Sequence, residues 1–503
     1  MASYLRIALA TLWLWGVGCA QVYPAANRDQ PVAMGPAAAN APAAGARPAR
    51  TTAWTTSVAG FADRGDLVVY PARATTRRDG AYTWHRAGLS EEHALRAVGG
   101  VMKVSAPDGQ LLQFDYERHV EHRSGDWTWI GRARGAPQSE ELILTFGARA
   151  AYGTIAQPGK APLKLTTSDG VAWLIETDPA RIARIDNQGT RPSEPDFRVP
   201  PRLDAGPEPG PDPFPPLALS LPSPSGATAA TTVDLLLGYT AGFAAAHGGQ
   251  PQALTRLNNM VEIANQAFAN SQLGARIRLV HALQVSYPDH TSNMSTLEAM
   301  TGFRWPSTKT TPDPAFAALR SARNQYGADL VSLVRVGHND GCGLAWLVGG
   351  DLAGIRSSDE YFGYSVVSDG YVGTPGASYF CREETLAHEL GHNLGSQHDH
   401  DTATLNGKLT YGVHPYSFGH KTPAGAGNFF TVMSYRDSGQ TGYRIFSNPR
   451  SGFCGAPCGI ENVADNARSL GQTMPIVATF RATVVPAEPE FAWELCDLKL
   501  PTG

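Results

Sequence analysis

The stretch Cys381–Ala403, CREETLAHELGHNLGSQHDHDTA, decides how the rest of the chain is interpreted. Within it, His388 and His392 stand four residues apart, and Glu389 directly follows the first of them. Positions i and i+4 lie on the same face of an α-helix, so two imidazoles with this spacing reach one ion. The spacing therefore predicts a helix that carries two metal ligands.

The third ligand is predicted just beyond the end of that helix. Gly395 can adopt a positive φ and end the helix abruptly, after which the chain turns back with His398. Three neutral imidazoles suit zinc and leave one position open for water. The expected cofactor is therefore one catalytic Zn²⁺, held by His388, His392 and His398. Glu389 is then placed to accept the proton of that water as general base.

Two other interpretations of this stretch remain open. One is a solvated, histidine-rich helix end without an ion, and the other is a structural zinc without activity. The extended pattern H-E-x-x-H-x-x-G-x-x-H-D fixes six positions and favours the catalytic site over both. His400, just past the pattern, is expected to be a surface residue.

A second motif, FFTVMSYRD, follows with Met433 at its centre. HELGHNLGSQHD and VMSY together resemble the zinc helix and Met-turn of the metzincin metallopeptidases. Asp399 resembles the reprolysin-like, adamalysin-type branch, whereas Tyr435 resembles the astacins and serralysins. The resemblance implies that Met433 forms a floor beneath the zinc. It also implies that Tyr435 is an oxyanion stabiliser or a fifth ligand; a core or rim tyrosine is the alternative.

The resemblance extends over roughly Thr232–Ala482. GCGLAWLVGG is similar to the edge strand that pairs with extended substrates in reprolysin-like proteases. It implies that the backbone of Leu344, Ala345 and Trp346 adds a substrate strand by β-augmentation. FSNPR, CGAPCG and ADNARSL resemble the segment after the Met-turn in bacterial members, including peptidyl-aspartate metallopeptidases.

The function implied by this resemblance is that of a zinc endopeptidase acting on a protein or peptide substrate. A catalytically inactive zinc-containing binding module and a metal-dependent hydrolase of a non-peptide substrate are the alternatives. Cleavage specificity is not readable from the motifs. An aspartate preference needs a basic group beside the Met-turn, and Arg436 is the nearest candidate, with a solvated loop charge as the alternative.

The chain around these motifs alternates between strand and helix patterns. Strands are predicted at 232–240, 275–287 and 328–336, and helices at 251–271 and 313–327. This order predicts an α/β (α+β) catalytic domain with a mostly parallel, twisted sheet and an active-site helix.

The N-terminal part has a different pattern. Residues 51–190 contain short alternating stretches separated by turn signals such as Asp108-Gly109, which predicts a mostly β domain. It resembles the prodomains of the bacterial enzymes. Proline recurs through 191–230, which predicts an extended linker that neither helix nor sheet can run through. Residues 231–483 then form the metallopeptidase domain and 484–503 a tail.

The resemblance to a prodomain suggests a zymogen. The sequence has no cysteine between Cys19 and Cys342. A group from residues 21–230 that blocks the zinc therefore cannot be a thiol, and must be an aspartate, a histidine or steric cover.

The N-terminus predicts export. A positive charge at Arg6 precedes an apolar run too short to span a membrane, and small residues follow, so residues 1–20 form a signal peptide and 21–50 a flexible segment. A lipid anchor on Cys19 is the alternative. We expect a secreted protein, extracellular or periplasmic, without stable membrane insertion.

The cysteines agree with export. Most are expected to pair in an oxidising compartment, and we favour Cys342–Cys381 and Cys454–Cys458, with Cys496 left over. A reduced or partly paired set is the alternative. A net charge of −4 argues against nucleic acid as a partner. No calcium-binding glycine-rich repeats occur, so structural calcium is not indicated, and we expect a monomer.

Overall fold

The computed structural model describes residues 58–71, 75–186, 195–203, 231–337, 340–372 and 379–486. The predicted signal peptide and flexible segment, Cys19, Cys496, and most of the predicted linker and tail lie outside the described residues. Among the helices within those ranges, none has both the length and the apolar character needed to cross a membrane.

A large antiparallel sheet occupies residues 68–177. Its strands are β1 Val68–Val69, β2 Thr76–Asp79, β3 Tyr82–Leu89, β4 Val101–Ser105, β5 Leu111–Glu121, β6 Trp127–Ala133, β7 Glu141–Phe146, β8 Ala151–Gln157, β9 Lys160–Ser168 and β10 Val171–Thr177. The order is β1-β3-β10-β9-β8-β7-β6-β5-β4, and β2 pairs with β3. The predicted hairpin at Asp108-Gly109 joins β4 to β5, and Gly109 has a φ of 85°. The mostly β content predicted for this part of the chain is confirmed.

The strands from residue 195 onward are shorter and more mixed. They are β11 Phe197–Arg198, β12 Thr231–Thr240, β13 Ala275–Val285, β14 Phe303–Arg304, β15 Thr308–Lys309, β16 Leu330–Val336, β17 Gly343–Trp346, β18 Tyr364–Asp369, β19 Tyr371–Val372, β20 Tyr379–Phe380, β21 Thr404–Leu405, β22 Lys408–Leu409, β23 Phe429–Phe430 and β24 Thr441–Gly442.

Six of these strands form a second sheet in the order β11-β17-β18-β16-β12-β13. β12 runs parallel to β13 and β16, β16 parallel to β18, and β11 parallel to β17. β17 and β18 are antiparallel. The mixed α/β organisation is confirmed. The expected mostly parallel pairing does not describe the chain's largest sheet, which is antiparallel because short turns instead of crossover helices connect its strands.

The α-helices lie on and around the two sheets. They are α1 Glu91–Arg96, α2 Pro179–Asp186, α3 Ala241–His247, α4 Gln250–Asn270, α5 Asn293–Thr301, α6 Ala317–Tyr326, α7 Thr385–Asn393, α8 His400–Ala403 and α9 Asn466–Val477. Short 3₁₀ turns occur at Pro314–Phe316, Ser357–Phe362 and Ala424–Ala426.

Helix α4 contacts both sheets with opposite faces. Leu257, Val261 and Phe268 belong to the core beneath the six-stranded sheet. On the other face, Asn258 donates to Asp126 of the N-terminal part at 2.9 Å. Ile263 packs against β6 and β7 in a small apolar cluster. The N-terminal part and the C-terminal part of the chain therefore share a contact in which α4 is central.

Part of the linker prediction is wrong, because Phe197–Arg198 form a strand. β11 is at the edge of its sheet and pairs with β17 alone. Pro195 and Pro200 flank the strand without lying in it, so the missing proline N–H groups interrupt no ladder hydrogen bond.

The two favoured disulfides are confirmed. Cys342–Cys381 connects the start of β17 to the approach of α7, with a Cα–Cα distance of 5.4 Å. Cys454–Cys458 closes a short loop, with a Cα–Cα distance of 5.5 Å. The first bridge holds the edge of the sheet next to the histidine-bearing helix.

Candidate metal centre

Helix α7 positions two of the three histidines. His388 and His392 are one turn apart on its buried face. The helix ends at Asn393, and Gly395 follows with a φ of 87°. A Cβ at Gly395 would come within 2.7 Å of Val413, so this reversal requires glycine on both conformational and steric grounds. The reversed chain brings His398 back to the helix face.

The three imidazoles converge through their Nε2 atoms. His398 Nε2 lies 3.1 Å from His388 Nε2 and 3.0 Å from His392 Nε2. His388 is 8% exposed and the other two are fully buried. The structure thus brings together all three histidines that the spacing predicted.

Backbone carbonyls orient two of these rings. His388 Nδ1 lies 2.8 Å from the carbonyl oxygen of Val432, and His392 Nδ1 lies 2.9 Å from that of Ser396. A carbonyl only accepts, so each Nδ1 carries the proton and each Nε2 presents a lone pair. Buried lone pairs that face one another need a cation between them.

The donor set fits zinc. Three imidazole nitrogens are a common zinc ligand set, and nitrogens bound at about 2.0–2.1 Å in tetrahedral geometry lie about 3.4 Å apart. The observed Nε2 separations are close to this value. His388, His392 and His398 would hold the ion.

A carboxylate that the sequence prediction missed completes the cluster. Asp196, just before β11, lies with Oδ1 2.8 Å from His398 Nε2 and Oδ2 3.2 Å from His388 Nε2. The four potential ligand atoms of Asp196 and the histidines all lie within 4.8 Å of one another. Burial opposes ionisation of Asp196, but the nearby His398 and His388 hold its pKa well below the usual value. The one signal in the sequence is an acidic residue followed by an aromatic one inside a proline-rich stretch.

Glu389 lies beside the ligands and is not one of them. Its side chain is 1% exposed, and within the described part of the chain its Oε2 has no hydrogen-bond partner. Burial, and secondarily the negative charge of Asp196, raise the pKa of Glu389 well above the usual value. The side chain also lies against Gly343, where an added Cβ would come 2.2 Å from Glu389 Oε1. The carboxyl group is thus held between α7, the helix that carries His388 and His392, and strand β17.

Met433 lies beneath α7. It is fully buried, and a Cβ at Gly391 would come 2.4 Å from its Sδ atom. Gly391 lies between the two helical histidines, so the thioether is packed directly under the part of α7 that carries them. This is the position that the resemblance implies for the floor of the site.

Tyr435 contacts the extra carboxylate. Its hydroxyl donates to Asp196 Oδ2 at 2.5 Å, and its ring centroid lies 4.8 Å from that of His398. Its backbone N–H donates to Asp399 Oδ2 at 3.3 Å. Burial, followed by the charge of Asp196, raises the pKa of the Tyr435 hydroxyl. The hydroxyl therefore faces the centre, where its partner is Asp196.

Strand β17, predicted to be a free edge that binds substrate, is covered by β11 of the same chain. The predicted substrate-binding residues Leu344, Ala345 and Trp346 pair with β18 or β11. The N–H of Ala345 donates to the Asp196 carbonyl at 3.1 Å, and the N–H of Leu347 donates to the Arg198 carbonyl at 2.8 Å. This is the strand addition expected for a substrate, made here by an internal segment.

Several cations lie near the segment after Met433. The Arg382 guanidinium lies 4.5 Å from the centroid of the Phe430 ring. Burial lowers the pKa of Arg382, while Glu384 opposes this and the charges of Arg436 and Arg444 add to it. Arg382 and Arg444 each pair with Glu384, at 3.1 and 3.0 Å, and Arg436 is close enough to Arg382 for its charge to lower that pKa. His400, by contrast, stacks on Phe418 at 4.0 Å and is half-buried rather than a surface residue.

Comparison with known proteins gives a family for this region. Residues 229–464 match the family described as Metallo-peptidase family M12B Reprolysin-like. A peptidyl-Asp metalloendopeptidase of Pseudomonas aeruginosa is 32% identical over 54% of this chain and 43% of its own length. One of Xanthomonas campestris pv. campestris is 28% identical over 74% of this chain and 80% of its own length. This chain thus spans less than half of the Pseudomonas protein and most of the Xanthomonas protein.

The solved structures include a weaker likeness. Metalloproteinase-II from Bacteroides fragilis matches with a TM-score of 0.36 and 12% identity, over 61% of this chain and 84% of that chain. The family match and the named relatives together support a zinc metalloendopeptidase.

Proposed function

Because residues 229–464 match the family described as Metallo-peptidase family M12B Reprolysin-like, we propose that this chain is a secreted zinc endopeptidase made as a zymogen. The observation that carries the proposal is the convergence of three buried imidazole Nε2 atoms beside a buried carboxyl group that is not a ligand. The ion held by His388, His392 and His398 would act as a Lewis acid and lower the pKa of a bound water.

Glu389 is the general base in this proposal. Its Oε2 accepts the proton of the attacking water and passes it to the leaving amine, a role that needs a carboxyl group free of other partners. The unpaired Oε2 supports this role. Tyr435 is the candidate oxyanion stabiliser, because its hydroxyl already donates toward the centre. Tyr435 can stabilise the oxyanion once Asp196 no longer accepts the hydrogen bond from the Tyr435 hydroxyl.

The substrate is an extended peptide that adds to β17. Backbone pairing along Leu344, Ala345 and Trp346 would hold the main chain beside Glu389, and Gly343 allows the close approach. The parallel pairing of β11 with Ala345 and Trp346 supports the strand-addition capacity of β17. A non-peptide substrate would not use it.

We further propose a preference for aspartate next to the cleaved bond, as the names of the two relatives state for those proteins. An acidic side chain needs a cation in its subsite. Arg436, beside the Met-turn, supports this preference, whereas Arg382 and Arg444 are already paired with Glu384. Arg436 is the first residue to test because it directly follows Tyr435.

In the proposed zymogen, residues 51–190 are a prodomain, 191–230 the connecting segment and 231–483 the metallopeptidase domain. The disulfides support an oxidising compartment, extracellular or periplasmic. The partner is a protein or peptide substrate, and the working unit is a monomer.

A peptide-library digest of the secreted protein tests the proposal. Cleavage that stops on adding a zinc chelator and returns with added Zn²⁺ is expected, with mass spectrometry reading the cleavage sites. Zinc content measured on the same sample shows whether the ion is bound. Bound zinc without cleavage of any peptide would favour the binding module or the non-peptide hydrolase.

A further inference from the structure

The segment Pro195–Leu203, called here the blocking segment, lies between stretches of chain outside the described residues, yet it is itself well packed. Phe197 is buried, and its ring centroid lies 5.4 Å from that of His392. Arg198 Nη1 donates to the carbonyl oxygens of Pro195 and Phe197 at 2.7 and 2.9 Å, which fixes the local turn. The Phe197 ring thus holds the segment against the metal centre, while the Arg198 hydrogen bonds fix the shape of the segment itself.

The blocking segment occupies two places that a substrate would need. Its strand β11 pairs with β17 through Phe197 opposite Ala345 and Arg198 opposite Trp346. Its Asp196 carboxylate lies within 3.5 Å of all three histidine Nε2 atoms. A carboxylate oxygen is an accepted zinc ligand and would fill the position otherwise left to water.

The orientation of Asp196 differs from that of a residue that presents its peptide bond for cleavage. Its main-chain carbonyl accepts the N–H of Ala345 and so points along the sheet toward β17. The side chain of Asp196, and not its main-chain carbonyl, therefore faces the three histidines. Tyr435, the candidate oxyanion donor, is also engaged by Asp196 Oδ2. The water position, the substrate strand and the oxyanion donor are all taken by one segment.

We propose that Asp196 is the group that keeps this enzyme latent, with its carboxylate bound to the metal and β11 in the substrate strand. This inference rests on the proposed function and adds its regulation. Activation then requires release of the blocking segment by cutting the chain between it and residue 231. Since β11 has a two-residue ladder, the carboxylate and the buried Phe197 provide most of the hold, and loss of either weakens it.

The test is made in the full-length chain in the Glu389→Gln background, which cannot process itself. Asp196→Asn is compared with its parent and with Asp169→Asn, the same change on an exposed turn of the N-terminal sheet. The proteins are loaded with Co²⁺ for the visible absorption spectrum and with Zn²⁺ for the rate of metal loss to a chelator. We expect Asp196→Asn to change the Co²⁺ spectrum and to speed zinc loss by about tenfold, the scale seen when a group supporting a metal site is removed.

Trypsin digestion gives a second readout that does not depend on metal spectroscopy. Arg198 is a cleavage site that burial now protects. Faster cutting after Arg198 in both Asp196→Asn and Phe197→Ala, with Asp169→Asn equal to the parent, supports the proposal. An unchanged spectrum, unchanged zinc loss and equal digestion in Asp196→Asn would overturn it.

These experiments distinguish failure of the latency proposal for Asp196 from failure of the proposed peptidase function. The readouts above need no turnover, so they judge Asp196 even if the chain cleaves no peptide. In the chain with Glu389 intact, Asp196→Asn should cleave peptides before any processing is visible by mass spectrometry, while Asp169→Asn stays latent. Activity of Asp169→Asn before processing, equal to that of Asp196→Asn, would contradict latency through Asp196.

Discussion

The side chain of Glu389 lies against the backbone of Gly343, so that a methyl group on Gly343 would come 2.2 Å from Glu389 Oε1. Gly343→Ala must therefore displace the carboxyl group or the edge strand. Because misplacement of a reacting group by about 1 Å costs about a hundredfold in rate, we expect a loss of kcat/KM on that scale. Zinc content should stay the same, since neither residue is a ligand.

The matched control for this prediction is Gly274→Ala. Nothing lies within 4 Å of a Cβ at Gly274, so this variant should keep its activity. Equal kcat/KM for the two glycine variants would show that Glu389 does not need its place against β17.

Glu389→Gln removes the proton acceptor and keeps the shape of the side chain. We expect peptide hydrolysis to fall by about 10²–10⁴-fold, the usual contribution of general acid–base catalysis. One zinc per chain should remain bound, since the histidines are unchanged. Glu461→Gln, at an exposed position, is the control. Casein hydrolysis at the wild-type rate by purified Glu389→Gln would disprove the assigned role.

Met433 supports the metal helix by packing alone. The side chain is fully buried under Gly391, so Met433→Ala leaves a cavity and should lower the free energy of unfolding by about 2–5 kcal/mol. Met433→Leu keeps the volume and should cost less than about 1.5 kcal/mol. Urea denaturation of the full-length chain in the Glu389→Gln background measures both. Identical midpoints for the two variants would argue against a packing role.

Arg436 is predicted to select acidic substrates. We expect Arg436→Gln to lower kcat/KM for a peptide with aspartate at the cleaved bond by about tenfold, or about 1.4 kcal/mol, because one cation of the subsite is lost. The matching asparagine peptide should be cleaved as before. Arg468→Gln, on the exposed face of α9, is the control. A parallel loss for both peptides would place Arg436 outside the subsite.

Stability should depend on pH through Asp369, which lies in the contact between the two parts of the chain. Its carboxylate accepts from Arg256 at 2.9 and 2.8 Å. Burial opposes ionisation, but Arg256 first and then its hydrogen bonds hold the pKa of Asp369 well below the usual value. A depressed carboxyl pKa stabilises the fold at pH values above the unfolded pKa of about 3.9. The stabilisation disappears as the pH falls below that value toward the folded pKa.

Asp369→Asn should therefore lower the free energy of unfolding at neutral pH by about 3–5 kcal/mol, because Arg256 is left buried with one partner fewer. The difference from the parent should shrink as the pH falls below about 4. Urea denaturation between acid and neutral pH measures it, with exposed Asp169→Asn as the control. A difference that does not change with pH would exclude ionised Asp369 as the source.

The metal centre could be predicted from the sequence because its three histidines lie close together in the chain. His388 and His392 are one helical turn apart, and the reversal at Gly395 follows from the backbone freedom of glycine. The two disulfides and the main strands of both sheets were also predictable. Helices α3 and α5 were missed, since each is short and supported by tertiary packing more than by its own pattern.

Asp196 was missed for a different reason. The absence of cysteine left an aspartate as one of three predicted kinds of blocking group, but nothing local marked which residue it was. Its contacts with His388 and His398 join positions about 190 and 200 residues apart in the sequence, and the proline pattern around it favours a linker. Only the pairing of β11 with β17 brings it to the site.

The two faces of α4 determine which surface would be exposed by the proposed removal of the N-terminal sheet. The face toward the N-terminal sheet is rich in amides: Asn259, Gln266 and Asn270 join Asn258 in hydrogen bonds to that sheet, and Ile263 lies among them in a small apolar cluster. Water can replace such partners with little loss, whereas a freshly bared apolar face would aggregate. If the N-terminal sheet is removed as proposed, the exposed face of α4 would therefore be mostly polar, and water could cover it without a replacement protein partner.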